Sequence, residues 1–210
     1  MKIKVCGITR AEDAKFAAKL GAWAIGLVFA AHSPRRLTLE RGSELRDAIP
    51  DGVLAVGVFE GNTPEQILAA SRACRLGAVQ IHGGAPAPEG APPLIRALAS
   101  GESPTEKDAL AVLFEPPRSE EERRLRLRPS REEQEQAWLA AARFVIKPPA
   151  ARPMVLVAGG LTIENIELAR RIARPDGVDV SSGVESGPGI KDHEKLERFV
   201  SKVRRAVEDA

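Results

Sequence analysis

Short apolar runs recur along the chain, and most are continuous rather than alternating. Eight stand out: Ile3–Cys6, Ala24–Phe29, Val53–Phe59, Ala78–Ile81, Pro93–Leu98, Leu110–Phe114, Met154–Ala158 and Gly177–Val180. Many are rich in Val and Ile, whose branched side chains suit a pleated, buried surface. A strand covered on both faces reads this way, as the strands of parallel sheets do. Between many of these runs the period becomes helical. Ala11–Leu20 has apolar residues at Ala14, Ala17, Ala18 and Leu20, and Gly21 follows as a stop. Leu39–Ile49 runs to Pro50. Thr63-Pro64-Glu65-Gln66 has an N-cap, a Pro at the first helical position and an acidic first turn, and Ile67–Cys74 carries that helix towards Gly77. Thr162-Ile163-Glu164-Asn165 opens another through Ile172, and His193–Val207 is a last amphipathic helix.

Strands alternating with helices through right-handed crossovers predict an α/β fold, either an open wound sheet or a closed barrel. Eight strands favour the (β/α)8 TIM barrel, here one domain over residues 1–210. The rhythm breaks in the middle. His82–Pro93 is dense in Gly and Pro, which oppose a helix. Ala99–Ala109 is also poor in helical pattern. Two crossovers are therefore predicted to be shortened or replaced by loops. Arg118–Arg131 interleaves arginines with Glu120, Glu121 and Glu122. That mixture reads as a solvated, self-paired face rather than a nucleic-acid surface, since no aromatic accompanies it.

Composition narrows the class. The net charge is +2 with 29% charged residues, and aromatics make up 4% with no Tyr. Neither general nucleic-acid affinity nor a base-stacking surface is expected from these totals. No apolar run approaches the roughly 20 residues of a membrane span, and no leader pattern opens the chain. Cys6 and Cys74 lie far apart and make no disulfide framework, so a cytoplasmic location is expected.

The chemistry-bearing residues fall at strand ends. Cys6 closes the first strand just before Gly7, where α/β folds place reactive groups, although a free Cys is commonly a small buried hydrophobe. Arg35, after the second strand, offers a guanidinium fork for a carboxylate. His82 ends the fourth strand without any Cys, His or Asp spacing that would make a metal site. Glu115 ends the sixth strand before Pro116 and Pro117; it reads either as a surface carboxylate or, facing Cys6 across a barrel mouth, as a candidate acid–base partner. The seventh strand runs into Gly159-Gly160, and the eighth into Ser181-Ser182-Gly183. In an eight-stranded barrel these loops commonly hold a phosphate, because Gly lets backbone N–H groups approach an anion.

Taken together, these blocks resemble the phosphoribosylanthranilate isomerase family of tryptophan biosynthesis. The resemblance is carried by Lys4-Val5-Cys6-Gly7-Ile8-Thr9, Gly26-Leu27-Val28-Phe29 with Ser33-Pro34-Arg35, Val56-Gly57-Val58-Phe59, and Val79-Gln80-Ile81-His82-Gly83. It continues in Ala158-Gly159-Gly160-Leu161 with Glu164-Asn165, and in Asp179–Glu185 through Pro188–Asp192. It implies a β/α barrel and an Amadori rearrangement of N-(5-phosphoribosyl)anthranilate, a phosphosugar, with no cofactor and no metal. It also implies Cys6 as general base, Arg35 on the anthranilate carboxylate, Gly159, Gly160, Ser181, Ser182 and Gly183 on the phosphate, and Asp179 on the sugar hydroxyls. His82 belongs to a matching block and is expected among the substrate-binding residues. One departure stands out. The family's general acid is an Asp at the end of strand six before a Gly-rich loop, whereas this chain has Leu113-Phe114-Glu115 followed by the Arg-rich segment. Glu115 is expected to take the acid's role. The alternative is a relative of that barrel that binds phosphosugars but turns them over weakly or not at all.

Overall fold

The structure is a computed structural model and describes residues 1–99, 109–117, 119, 122, 128–147 and 149–208. Its centre is a closed parallel barrel of β1 (Lys2–Cys6), β2 (Ala24–Val28), β3 (Leu54–Phe59), β4 (Ala78–Ile81), β5 (Leu94–Ala99), β6 (Ala111–Glu115), β7 (Met154–Val157) and β8 (Gly177–Val180). Each strand pairs with the next, and β8 returns to β1 with Lys4 beside Asp179. Every expected strand is present within one residue at each end.

The alternation of side chains divides each strand between two cores. Ile3 and Val5, Ile25 and Leu27, and Val178 and Val180 point outward into the layer shared with the helices. Ala24, Val56, Ala78, Ile95, Ala111, Leu113 and Leu156 fill the barrel interior. Because both faces are covered, β2, β4 and β8 are buried at every position. That is why their sequences are continuous apolar runs.

The helices are α1 (Ala11–Lys19), α2 (Leu39–Asp47), α3 (Pro64–Ala73), α4 (Arg131–Val145), α5 (Ile166–Ala173) and α6 (His193–Glu208). Thr63 and Gln66 close the capping box that starts α3. Two boundaries differ from expectation. Helix α4 was not anticipated, yet it has its own signal: Ser130 and Glu133 form a capping box, and Ala137, Trp138 and Ala141 make a buried stripe. The arginine run just before it hides that pattern, and Arg131, its last member, is the first residue of α4 and pairs with Glu135. Helix α5 starts later than Thr162. The Thr162 hydroxyl instead accepts from Glu164 N in a turn, and Asn165 takes the N-cap position.

Residues 82–93 cross from β4 to β5 without a helix, as their Gly and Pro content predicts. Arg96 points outward from β5 there, is 2% exposed, and donates to the Ala85 carbonyl at 2.7 Å. The expected loop between β5 and β6 lies largely outside the described residues, as do Arg118, Glu120, Glu121, Arg123, Arg124 and Arg126. After β8, the turn Ser182–Val184 leads into a hairpin of β9 (Glu185–Gly187) and β10 (Ile190–Lys191). Among the described residues, no helix is long and apolar enough to cross a membrane.

Candidate active site

Cys6 is the last residue of β1 and lies 9% exposed at the carboxyl end of the barrel, against Val28, Ala30 and Val58. Its register partner on β2 is Gly26. A Cβ on Gly26 would lie 2.7 Å from the Cys6 sulfur, so that glycine makes the space the thiol occupies. Gly7 follows with φ +74°, a left-handed conformation that Gly adopts without strain. A side chain there would collide with the stem of Arg35, whose Cδ sits 2.3 Å from the ideal Cβ position. Burial pushes the Cys6 thiol up, Lys4 and Lys191 pull it down, and Asp179 adds to the rise; the result stays above the ordinary thiol value.

Beneath Cys6, Lys4 is fully buried inside the barrel, and its Nζ meets Asp179 Oδ2 at 2.7 Å. Burial opposes the Lys4 charge, but Asp179 and Cys6 outweigh it and hold the ammonium above its usual range. Burial raises the Asp179 carboxyl. Asp179 Oδ1 has no hydrogen-bond partner among the described residues. This atom is a buried acceptor without a donor among the described residues.

His82 and Glu115 meet at the carboxyl ends of β4 and β6. His82 Nδ1 lies 2.7 Å from Glu115 Oε1, and His82 Nε2 lies 2.8 Å from Gln80 Nε2. With Gln80 donating to Nε2, the ring carries its proton on Nδ1 and donates it to Glu115. Burial works against an imidazolium, but the Glu115 carboxylate more than compensates and raises His82 above its ordinary value. Protonating the second nitrogen requires the Gln80 amide to turn, and its Oε1 is buried without a partner among the described residues in the present orientation. The charge of Glu115 is felt at Asp179, and that of Lys4 at His82, so these groups share one interior field.

At the rim, Arg35 forks onto Glu185 from the eighth-strand hairpin, with Nε–Oε1 at 2.8 Å and Nη2–Oε2 at 2.5 Å. Its Nη1 makes no hydrogen bond among the described residues. Lys191 Nζ donates to Glu185 Oε1 at 2.7 Å, to the Cys6 carbonyl at 2.7 Å and to the Ser181 carbonyl at 3.3 Å. Asp13 anchors the hairpin from below: it accepts from Arg10, from the Lys191 backbone at 3.0 Å and from His193 at 2.9 Å.

The two Gly-rich loops touch each other. A Cβ on Gly183 would fall 1.8 Å from the Leu161 carbonyl oxygen, so the loops after β7 and β8 approach through bare backbone. Gly159 and Gly160 both have positive φ. A side chain on Gly159 would strike Pro116, the residue after Glu115. Asn165 Nδ2 donates to the Gly160 carbonyl and to Gln134, which fixes the first loop against α4. The result is a shallow backbone cradle at the same barrel end as Cys6 and Glu115, with Ser181 and Ser182 on its second wall. Among the described residues, no three His, Cys, Asp or Glu side chains gather into a metal-binding set.

The residues expected from sequence thus gather around one mouth: Cys6, Arg35, His82, Glu115, Gly159, Gly160, Asp179, Ser181, Ser182 and Gly183. Sequence reasoning missed Lys4, Gln80, Glu185 and Lys191 as site residues. The signal for Lys4 and Gln80 is a polar residue at an inward position of an otherwise apolar strand. Glu185 and Lys191 carry no such signal, because only the hairpin brings them to Arg35 and Cys6.

The chain matches the family model for N-(5'phosphoribosyl)anthranilate (PRA) isomerase over residues 3–100 and 142–202. The unmatched span contains Glu115. A curated N-(5'-phosphoribosyl)anthranilate isomerase of Acidithiobacillus ferrooxidans is 36% identical over 219 residues, covering 97% of this chain and 98% of that protein. Phosphoribosyl anthranilate isomerase from Thermus thermophilus superposes with a TM-score of 0.77 at 31% identity, over 98% of this chain and 100% of that one. Another phosphoribosyl anthranilate isomerase, solved with reduced 1-(o-carboxyphenylamino)-1-deoxyribulose 5-phosphate, gives a TM-score of 0.75 at 28% identity, over 98% of this chain and 99% of that one.

Proposed function

The chain belongs to the N-(5'-phosphoribosyl)anthranilate isomerase family, and from that premise we propose which of its side chains carry the reaction. The activity is the isomerisation of tryptophan biosynthesis, an Amadori rearrangement of N-(5-phosphoribosyl)anthranilate. The substrate phosphate lies in the cradle of Gly159, Gly160, Ser181, Ser182 and Gly183. Arg35 meets the anthranilate carboxylate with the Nη1 edge that Glu185 leaves open. In the reacting form the Gln80 amide is turned and His82 is the imidazolium; it passes its Nδ1 proton to Glu115, which gives a proton to the ribose ring oxygen, and the ring opens to a Schiff base. The Cys6 thiolate then takes the proton from C2′, and the electrons of that C–H bond move toward the nitrogen to give an enolamine. Tautomerisation yields the 1-deoxyribulose product. Asp179 accepts from a sugar hydroxyl through Oδ1, which has no donor among the described residues. Acid and base suffice for this aldose–ketose exchange, so the reading includes no cofactor. Two unpaired thiols, Cys6 and Cys74, suit a cytoplasmic setting.

The observation that carries this assignment is that Cys6 and the hydrogen-bonded His82–Glu115 pair stand at the same barrel end as two touching Gly loops. The test is complementation of a tryptophan auxotroph that lacks this isomerase. The wild-type chain restores growth and Cys6→Ser, made as soluble protein, does not. Growth with Cys6→Ser would remove Cys6 from the base's role.

A further inference from the structure

Lys191 stands outside every role assigned so far, yet it is buried and central. Its ammonium has three acceptors: the Glu185 carboxylate, the Cys6 carbonyl and the Ser181 carbonyl. Three acceptors around one Nζ match the three donors of the charged form; a neutral amine leaves one of them unserved. Lys191 Nζ therefore fixes the backbone of Cys6 directly. Through Glu185, which also holds Arg35 in a two-pronged ion pair, it reaches the guanidinium on the next loop. The lysine backbone is itself pinned by the buried Asp13 carboxylate.

From this geometry we propose that Lys191 is a positioning residue that joins Cys6 to Arg35 through Glu185 and keeps a positive charge beside the thiol. This rests on Cys6 being the base. One hairpin side chain then does two things. It favours the thiolate, because a nearby cation stabilises the charged sulfur. It also sets the orientation of Arg35, because Glu185 is shared between the two cations. The other charged groups facing Cys6 are Lys4 from its own strand, Asp179 from β8 and Arg35 from the β2 loop. Lys4 is committed to Asp179 inside the barrel, whereas Lys191 approaches from the rim. Burial pulls the Lys191 amine down while Glu185 and Cys6 hold it up, so its charge depends on both partners of the link.

The experiment compares Lys191→Met, Lys191→Arg and Glu185→Gln in a Cys74→Ala background, so that a small alkylating reagent reports Cys6 alone. Alkylation is followed against pH, and kcat and KM are measured for the phosphoribosylanthranilate substrate. Lys191→Met is expected to move the alkylation midpoint upward by about one pH unit, which lowers both the alkylation rate and kcat/KM at pH 7 by about tenfold. Lys191→Arg restores most of the midpoint. Glu185→Gln removes the carboxylate that holds the Lys191 charge, so it moves the midpoint upward while raising KM several-fold as Arg35 loses its brace. If Lys191→Met does not fold, the upward midpoint and raised KM of Glu185→Gln decide the matter. A folded Lys191→Met with wild-type midpoint and kinetics, or a Glu185→Gln that changes neither, overturns the proposal. A shifted midpoint with activity untouched by Cys6→Ser keeps the Lys191 link and rejects Cys6 as base instead.

Discussion

His82 and Glu115 are joined across two barrel strands, with Nδ1 and Oε1 2.7 Å apart. Glu115 reaches the imidazole with a side chain one methylene longer than Asp. Shortening it separates the carboxyl from its proton source while leaving an acid of similar intrinsic strength. Glu115→Asp is therefore expected to lower kcat by roughly ten- to a hundredfold, in line with the cost of a misplacement near 1 Å. Steady-state kinetics check this, and KM should change little because Arg35 and the Gly loops are untouched.

The buried pair of Lys4 and Asp179 makes a stability prediction. Lys4→Met leaves the Asp179 carboxyl inside the barrel without its cation. Breaking a buried pair in this way costs about 3–5 kcal/mol. Adding Asp179→Asn removes the stranded charge and recovers part of that loss. Denaturant unfolding of the two single variants and the double variant measures the coupling.

Gly183 tests the meeting of the two loops. Its backbone passes so close to the Leu161 carbonyl that any Cβ must push the loops apart. Gly183→Ala is expected to raise KM by at least tenfold with a smaller change in kcat, because the cradle widens while Cys6 and Glu115 stay in place. Inorganic phosphate should also inhibit this variant more weakly than the wild type, as a competition assay reads directly.

Asp13 sets the acid limit of the hairpin. Burial opposes its charge, but Arg10, the Lys191 backbone and His193 outweigh it and hold the carboxyl below its ordinary value of 3.8. A carboxyl lowered on folding contributes stability in full above its unfolded value and loses it as pH falls through the folded one. Wild-type stability should therefore drop below about pH 4. Asp13→Asn should be less stable at pH 7 and show a shallower drop. Melting temperatures between pH 3 and pH 7 provide the check.

Much of the barrel was legible because a strand buried on both faces cannot hide its composition. Runs such as Ala24–Phe29 and Gly177–Val180 match the observed strands Ala24–Val28 and Gly177–Val180 closely. The residues at strand ends were legible for the same reason: once Val5 and Val180 are placed, Cys6 and Ser181 must lie at the rim. Helix α4 was obscured because the arginines before Ser130 dominate the local pattern, although the capping box is intact. The partners of the site were the least legible. The contact of Glu185 with Arg35 spans 150 positions and depends on a hairpin that neither residue's neighbours announce. Glu115 reads as a candidate acid from its place on the strand and from the family resemblance, but its bond to His82 depends on β4 and β6 both flanking β5.

The isomerase assay on Glu115→Gln tests the central claim most directly, because Gln keeps the shape and the reach to His82 but cannot supply a proton. The assignment predicts that kcat falls by about a hundredfold or more while a reduced product analogue still binds with near wild-type affinity. Full wild-type turnover by Glu115→Gln would contradict it and place the acid elsewhere at the barrel mouth.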